Sequence, residues 1–355
     1  MEPYQILIVD DEPLQRQLLR DLLEESDLEF QLEEASDGQE ALLKVAQRNF
    51  DVVLTDKRMP IIDGDEVCKR IRNDLSLPFV PIIMVTGTHT TEELAKSFAA
   101  GASDFVRKPY NPLELSARIK SAVQNKRLTD QLDSAESLLF ALARMVEAKD
   151  ETTGDHCTRL AYTAAVFGQQ LGLDEVQIEA LRRGGILHDI GKLGIPDSIL
   201  LKQGPLNDDE WRIMREHTTI GANLCHSLAS MKHVVPIILH HHERWDGSGY
   251  PHGLTGDKIP LLARVFQLLD IYDALSSERP YKKALAPEKV ISILEEEAAK
   301  GWRDPHLTAT FIGILRAQPE KLRLPESIVP TRDEHIFESI LATGALDWDK
   351  KKRGG

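Results

Sequence analysis

Ten of the chain's twelve histidines lie between residues 150 and 310, a stretch that otherwise reads as helix after helix. Apolar periodicity predicts helices over Asp155–Leu171, Asp174–Leu187, Asp208–Ser230, His233–His241, Leu261–Ser276 and Pro287–Lys300. Turn and cap signals at 171–174 and 202–208 separate them. So many imidazoles in one helical segment point to side chains converging on a metal. At residues 186–196 His188 and Asp189 are adjacent and Lys192 follows. About one His-Asp pair is expected by chance, so the pair gains meaning only from its company. On a helix, positions i and i+4 share a face, which would set Lys192 beside His188 with Asp189 one step round. His188 could bind one metal, Asp189 could span two through its two oxygens, and Lys192 would be ready for an anion. Imidazoles and carboxylates without cysteine suit octahedral Fe²⁺ or Mn²⁺ better than structural zinc. Two such ions can deprotonate a bridging water and grip a phosphoryl oxygen. His226, His233, His240, His252, His306 and His335 read as surface or satisfied core residues.

The N-terminal third follows another pattern. Apolar runs at residues 5–9, 51–55, 81–86 and 104–106 alternate with helical patterns such as Leu14–Leu23 and Gln39–Gln47. Alternation of this kind predicts a doubly wound α/β domain with a parallel sheet, which binds ligands at the carboxyl ends of its strands. Asp10, Asp11, Asp56, Thr86 and Lys108 fall at those ends. Carboxylates brought together repel unless a cation joins them, and hard oxygens suit Mg²⁺. Asp56 is then a candidate phosphoryl acceptor, with Lys108 balancing the added charge and Thr86 hydrogen-bonding it.

Net charge is −14, and residues 1–125 hold 23 acidic against 14 basic residues. That balance argues against a duplex nucleic-acid footprint but not against a small phosphate ligand at bound metal. Cys68, Cys157 and Cys225 form neither a metal pair nor a disulfide framework. With no basic leader and no apolar run of spanning length, the expectation is a cytoplasmic protein without a membrane segment. Between the two patterns, Leu128, Leu132, Ala135, Leu139, Leu142 and Val146 step by 4, 3, 4, 3, 4, as in a coiled-coil seam between two copies or in one amphipathic helix packed on its own domain, with the seam preferred.

Residues 1–125 resemble the receiver domain of two-component response regulators, through Val9-Asp10-Asp11-Glu12, Thr55-Asp56-Lys57-Arg58-Met59-Pro60, Asp63-Gly64, Thr86-Gly87 and Lys108-Pro109. The resemblance implies a five-stranded, flavodoxin-like sheet, Asp56 as phosphoacceptor, Asp10 and Asp11 holding Mg²⁺, and Phe105 as aromatic switch. A histidine kinase is the implied partner.

Residues 147–315 are similar to the HD-GYP domain, a branch of the HD metal phosphohydrolases. The likeness is carried by Thr153-Gly154-Asp155-His156, His188-Asp189-Ile190-Gly191-Lys192, His217-Thr218-Thr219-Ile220-Gly221, the run from His241 to Pro251 with Gly249-Tyr250-Pro251, and Asp270 to Lys282. It implies metal ligands His156, His188, Asp189, His217, His241, His242 and Asp270, with Asp189 bridging. Lys192, Asp273, Arg279 and Lys282 would hold substrate, and Asp189 and Lys192 would be catalytic. The family hydrolyses cyclic di-GMP to linear pGpG, some members continuing to GMP, by in-line attack of a bridging hydroxide. Family members with three metals carry a glutamate four residues before the first ligand histidine; here that residue is Thr152, so two Fe or Mn ions are expected.

The layout expected is a receiver over 1–125, a helical coiled-coil connector over 126–149, an all-α HD-type domain over 150–320, and a C-terminal helix and tail over 321–355. The function expected is a phosphorylation-controlled, homodimeric cyclic di-GMP phosphodiesterase, with GGDEF-type diguanylate cyclases as further partners by resemblance. The competing class is a sensor or docking module that binds cyclic di-GMP without turnover.

Overall fold

The computed structural model describes residues 3–26, 29–75, 77–87, 90–149, 156–278 and 283–324. The chain divides into two compact units, residues 1–136 and 137–355, and each is taken by itself.

In the first unit the order is β1 (Tyr4–Val9), α1 (Pro13–Glu24), β2 (Phe30–Ala35), α2 (Gly38–Gln47), β3 (Val52–Asp56), α3 (Gly64–Asn73), β4 (Ile82–Thr86), α4 (Thr91–Ala99) and β5 (Asp104–Arg107), followed by α5 (Pro112–Lys149). The five strands are parallel in the order β2-β1-β3-β4-β5, the doubly wound arrangement expected. Residues alternate between faces along each strand. Leu7, Val9, Val53, Ile82 and Met84 face one core with Val45, Val67 and Ile71. Ile6, Ile8, Val52, Leu54, Ile83 and Val85 face the other with Leu19, Leu23, Leu115 and Ile119. Strands buried on both faces must be apolar throughout, which is why the central ones read as continuous runs. The edge strand β2, Phe-Gln-Leu-Glu-Glu-Ala, is mostly half-buried and gave no such run.

Helix α5 is a single helix of 38 residues that begins with Pro112 after Asn111, whose side chain accepts from Leu113 and Glu114 N–H. The stripe read as a dimer seam is not all left for a partner. Leu128 and Leu132 are 59% and 49% exposed, but Val146 is 5% exposed and Leu139 packs on the core of the second unit. Phe140 and Ala143 join that core, because the last turns of α5 carry a stripe for their own domain.

The second unit continues with α6 (His156–Gln170), α7 (Glu175–Leu187), a 3₁₀ turn over Ile190–Gly194, α8 (Asp197–Leu200), α9 (Asp208–Arg215), α10 (His217–Cys225), α11 (Val235–His240), α12 (Leu261–Ser276), α13 (Pro287–Ala299) and α14 (Pro305–Ala317). Its core is built on Phe167, Phe266 and Phe311 with leucines and isoleucines from α6, α7, α11 and α12. Three expectations need correction. The helix read over Asp208–Ser230 is two, α9 and α10, parting at Glu216, where no glycine or proline signals a break. Helix α14 was not foreseen, although Asp304 caps it and Pro305 occupies its first position. Lys192 does not stand one α-turn above His188. Helix α7 ends at His188, and the 3₁₀ turn, with three residues per turn, brings Lys192 onto Asp189. No helix among the described residues is long and apolar enough to cross a membrane.

Candidate metal centre

Helix ends bring the donors together. His188 caps α7, His217 opens α10, His241 follows α11, His156 opens α6 and Asp270 projects from α12. Their donor atoms form two groups, each with all atoms within 4.8 Å of one another: Asp189, His217, His241 and His242, and then His156, His188 and Asp270. Asp189 lies between the groups and presents one oxygen to each. Oδ2 is 3.3 Å from His188 Nε2, while Oδ1 is 3.4 Å from His217 Nε2 and 4.0 Å from His241 Nε2.

The ring orientations follow from the backbone. The Nδ1 atoms of His188, His217 and His241 lie 3.2, 2.7 and 2.8 Å from the carbonyls of Gly185, Met214 and Ile238, each three residues upstream. An Nδ1–H donated to a carbonyl leaves Nε2 as the lone-pair nitrogen, aimed inward. The Nε2 atoms of His217 and His241 are buried with no hydrogen-bond partner among the described residues. Buried nitrogens are rarely left so; two of them aimed at one carboxylate oxygen fit a divalent ion. Burial holds the His217 and His241 imidazoles below their usual range and, with His217 nearby, brings His242 down to about 4, so the ligand form prevails at neutral pH. Burial pushes His188 the same way, but the Asp189 carboxylate outweighs it and the net direction is up. Burial disfavours the Asp189 carboxylate, yet Lys192 and His188 overcome it and hold Asp189 well below the usual carboxylate range.

These donors open into a cleft of about 350 Å³, lined also by Glu147, Lys192, Trp211, Met214 and Tyr250. Lys192 Nζ is 2.9 Å from Asp189 Oδ2. Tyr250 stacks on His242, ring centroids 4.8 Å apart, and the Arg215 guanidinium lies 5.2 Å from the Tyr250 ring. Cys157 borders the cleft, but burial pushes its thiol well up and Sγ donates to the Ile186 carbonyl.

Asp273, expected to face substrate, is instead behind His156. It is buried, with Oδ2 2.6 Å from His156 Nδ1, and Arg159 binds it at 2.6 and 3.0 Å. Arg159 and His156 hold its carboxylate against the cost of burial, far below the usual range. A carboxylate on the far nitrogen of a metal-binding histidine orients the ring and raises its basicity. Glu147 was also missed: its carboxylate accepts from Cys157 N–H at the start of α6. Nothing in the local pattern marked either role, although Arg159 three residues after His156 was a readable hint. Arg279 and Lys282, and Thr152 with the residues up to Asp155, lie outside the described residues, as does the tail expected to be helical.

In the first unit Asp10 follows β1, Asp56 ends β3, Thr86 ends β4 and Lys108 follows β5. Lys108 Nζ joins Asp56 Oδ1 at 2.6 Å and Asp10 Oδ2 at 2.9 Å. Asp56 Oδ2 also accepts from Arg58 N–H at 2.6 Å. Asp11 is exposed beside this pair. Phe105 on β5 is half-buried, edge-on to Phe98 and under the Arg118 guanidinium.

A parallel sheet with acids and a lysine at its carboxyl ends, joined in one chain to a helical domain with clustered His and Asp, defines a receiver coupled to an HD-type metal domain. Residues 6–120 match the response regulator receiver domain family, and residues 141–307 match the HD domain family. The chain is 35% identical over 338 residues to the cyclic di-GMP phosphodiesterase response regulator RpfG of Xanthomonas campestris pv. campestris, covering 89% of each chain. A probable cyclic di-GMP phosphodiesterase of Vibrio cholerae is 35% identical over 344 residues, covering 86% of this chain and 77% of that one. The 3'3'-cGAMP-specific phosphodiesterase 3 of Vibrio cholerae is 37% identical over 199 residues, covering 55% of this chain and 43% of that one. The chain belongs to the response regulators that join a receiver domain to an HD domain.

Proposed function

We propose that the chain hydrolyses cyclic di-GMP to linear pGpG under control of receiver phosphorylation. The observation that carries this reading is Asp189, one oxygen toward His188 and the other toward His217 and His241, at the floor of a cleft that also holds Lys192. His156, His188, Asp270 and Asp189 would hold one Fe or Mn ion; Asp189, His217, His241 and His242 would hold a second. When bound, such a pair supplies Lewis acidity toward a phosphoryl oxygen and lowers the pKa of water. Lys192 offers a cation to the non-bridging phosphoryl oxygens, where charge grows in the transition state. Tyr250, flat against His242, offers a face on which a purine stacks. Arg279 and Lys282 add cations by resemblance. Thr152, where three-metal relatives carry glutamate, favours a site that stops at pGpG over one that continues to GMP.

Asp56 would accept the phosphoryl group from a histidine kinase, with Asp10 and Asp11 holding Mg²⁺, Lys108 and Thr86 contacting the phosphoryl oxygens, and Phe105 reporting the change. Exposed Leu128, Leu132, Leu138, Leu142 and Met145 on α5 would pair two copies, and the loop through Tyr250 would dock a GGDEF-type cyclase. The relative that acts on 3'3'-cGAMP makes that dinucleotide the competing substrate.

The test is anaerobic incubation of Fe²⁺- or Mn²⁺-loaded protein with each cyclic dinucleotide, products separated by chromatography, beside Asp189→Ala. Formation of pGpG that the variant loses supports the reading. Binding of cyclic di-GMP by metallated protein without turnover would move it to a sensor.

A further inference from the structure

Outside the cleft, a third set of donors gathers where the loop after α11 folds back. His240, Glu243 and His252 each offer one atom, all within 4.8 Å of one another. We infer that these three side chains bind a further divalent transition-metal ion, Zn²⁺ by preference, that staples the loop carrying Tyr250 to the end of α11.

Glu243 demands a cation. It is 0% exposed, and its two oxygens accept only backbone N–H groups, from His252 at 2.8 Å and Leu254 at 2.9 Å. No lysine or arginine among the described residues forms an ion pair with it. Buried carboxylates are paired with a cation or bind a metal. The side chain nearest in kind is His240, whose buried Nδ1 has no hydrogen-bond partner among the described residues and lies 3.7 Å from Glu243 Oε1.

That distance discriminates between explanations. It exceeds the 2.7–3.2 Å of a hydrogen bond, and a single water bridging the two atoms would hold them about 4.6 Å apart. Two ligands on one tetrahedral zinc, with bonds near 2.0–2.1 Å, stand about 3.4 Å apart. The third donor is His252, which is exposed, with its ring centroid 5.3 Å from that of His240 and one nitrogen already within 4.8 Å of the other two donor atoms, so a rotamer change brings it onto the ion. Two imidazoles, one carboxylate and an open fourth position form a zinc donor set. Glu243 Oε1 keeps a lone pair for the ion while accepting from His252 N–H. The backbone is shaped for the same contact: a Cβ at Gly249 would lie 2.2 Å from Arg244 N and 2.4 Å from Glu243 Cα, so only glycine lets the loop close on Glu243.

The ion would fix the loop whose Tyr250 stacks on His242, without belonging to the cleft. Wild type, His252→Ala and His252→Cys proteins are dialysed against Zn²⁺ and then against buffer, and zinc per chain is measured by elemental analysis. His252→Ala should hold one zinc fewer than wild type, and His252→Cys, which replaces one zinc ligand by another, should recover it. Zinc-edge anomalous scattering should place a peak between His240 and Glu243. Equal zinc in all three proteins, or no peak at that position, overturns the inference. Mn²⁺-dependent hydrolysis of cyclic di-GMP is followed in parallel. Its absence from all three would count against the proposed activity while leaving the zinc comparison intact.

Discussion

Gly191→Ala should disable the centre without touching a ligand. Gly191 sits in the 3₁₀ turn between Asp189 and Lys192, against the start of α10. A Cβ there would lie 1.8 Å from the His217 carbonyl oxygen, 2.5 Å from Gly221 N and 2.7 Å from His217 C. All three are backbone atoms, so no side chain can swing aside. Restoring contact near 3.4 Å requires the turn and α10 to part by about 1.5 Å, well past the ~0.2 Å tolerance of metal–ligand bonds. The two elements carry Asp189 and His217, whose donor atoms stand 3.4 Å apart. A misplacement of about 1 Å costs on the order of 100-fold in rate, so hydrolysis should fall at least that far. Overpacking against backbone costs about 3 kcal/mol, the upper end of the usual range, which lowers the melting temperature of a domain this size by roughly 6–12 °C. Gly313→Ala is the control: it is inside α14 with nothing within 4 Å of its Cβ, and should be neutral or stabilising by up to about 1 kcal/mol. Activity of Gly191→Ala within threefold of wild type, with an unchanged melting temperature, would refute the packing argument.

Asp273→Asn should weaken Mn²⁺ binding about 10- to 100-fold through His156, read by metal titration; equal affinity would deny it the orienting role. Ion-free protein should lose stability as pH falls from the ordinary histidine value toward about 4, because the unfolded chain protonates His242 while burial keeps the folded imidazole neutral. His217 and His241 add to this trend and His188 opposes it; denaturant melts that are flat between pH 6.5 and 4 would contradict it. Asp56→Asn should abolish labelling by a small phosphodonor and any change in hydrolysis that the donor causes in wild type; persistent labelling would shift the acceptor elsewhere. Glu147→Ala should cost about 1 kcal/mol, the usual value of a lost N-terminal cap, with weaker Mn²⁺ binding as α6 and His156 loosen; unaltered metal affinity would limit Glu147 to a purely local cap.

The sequence was most legible where a residue's neighbours along the chain decide its fate. Helix α12 runs over the residues its periodicity marked, and the three central strands were readable because burial on both faces forces an apolar run. Strand β2, shielded on fewer sides, tolerates two glutamates and left no such trace. The histidines and carboxylates that cluster were recognisable from their types and motifs. What escaped was direction: Lys192 turns onto Asp189 because a helix ends one residue before that pair, and Asp273 faces a ring nitrogen rather than the cleft. The set around Glu243 spans only residues 240 to 254, but it forms where the chain folds back after α11, and helical spacing does not report that turn.

The carbonyls of Gly185, Met214 and Ile238 fix three imidazoles by hydrogen bonds that depend on no ion. The rings are therefore aimed before anything binds, and the ion need not pay to order them. In a cell whose supply of the divalent ion rises and falls, the protein would lose and regain that ion without refolding. Supply of the ion would then act as a second input, in series with the phosphorylation proposed at Asp56.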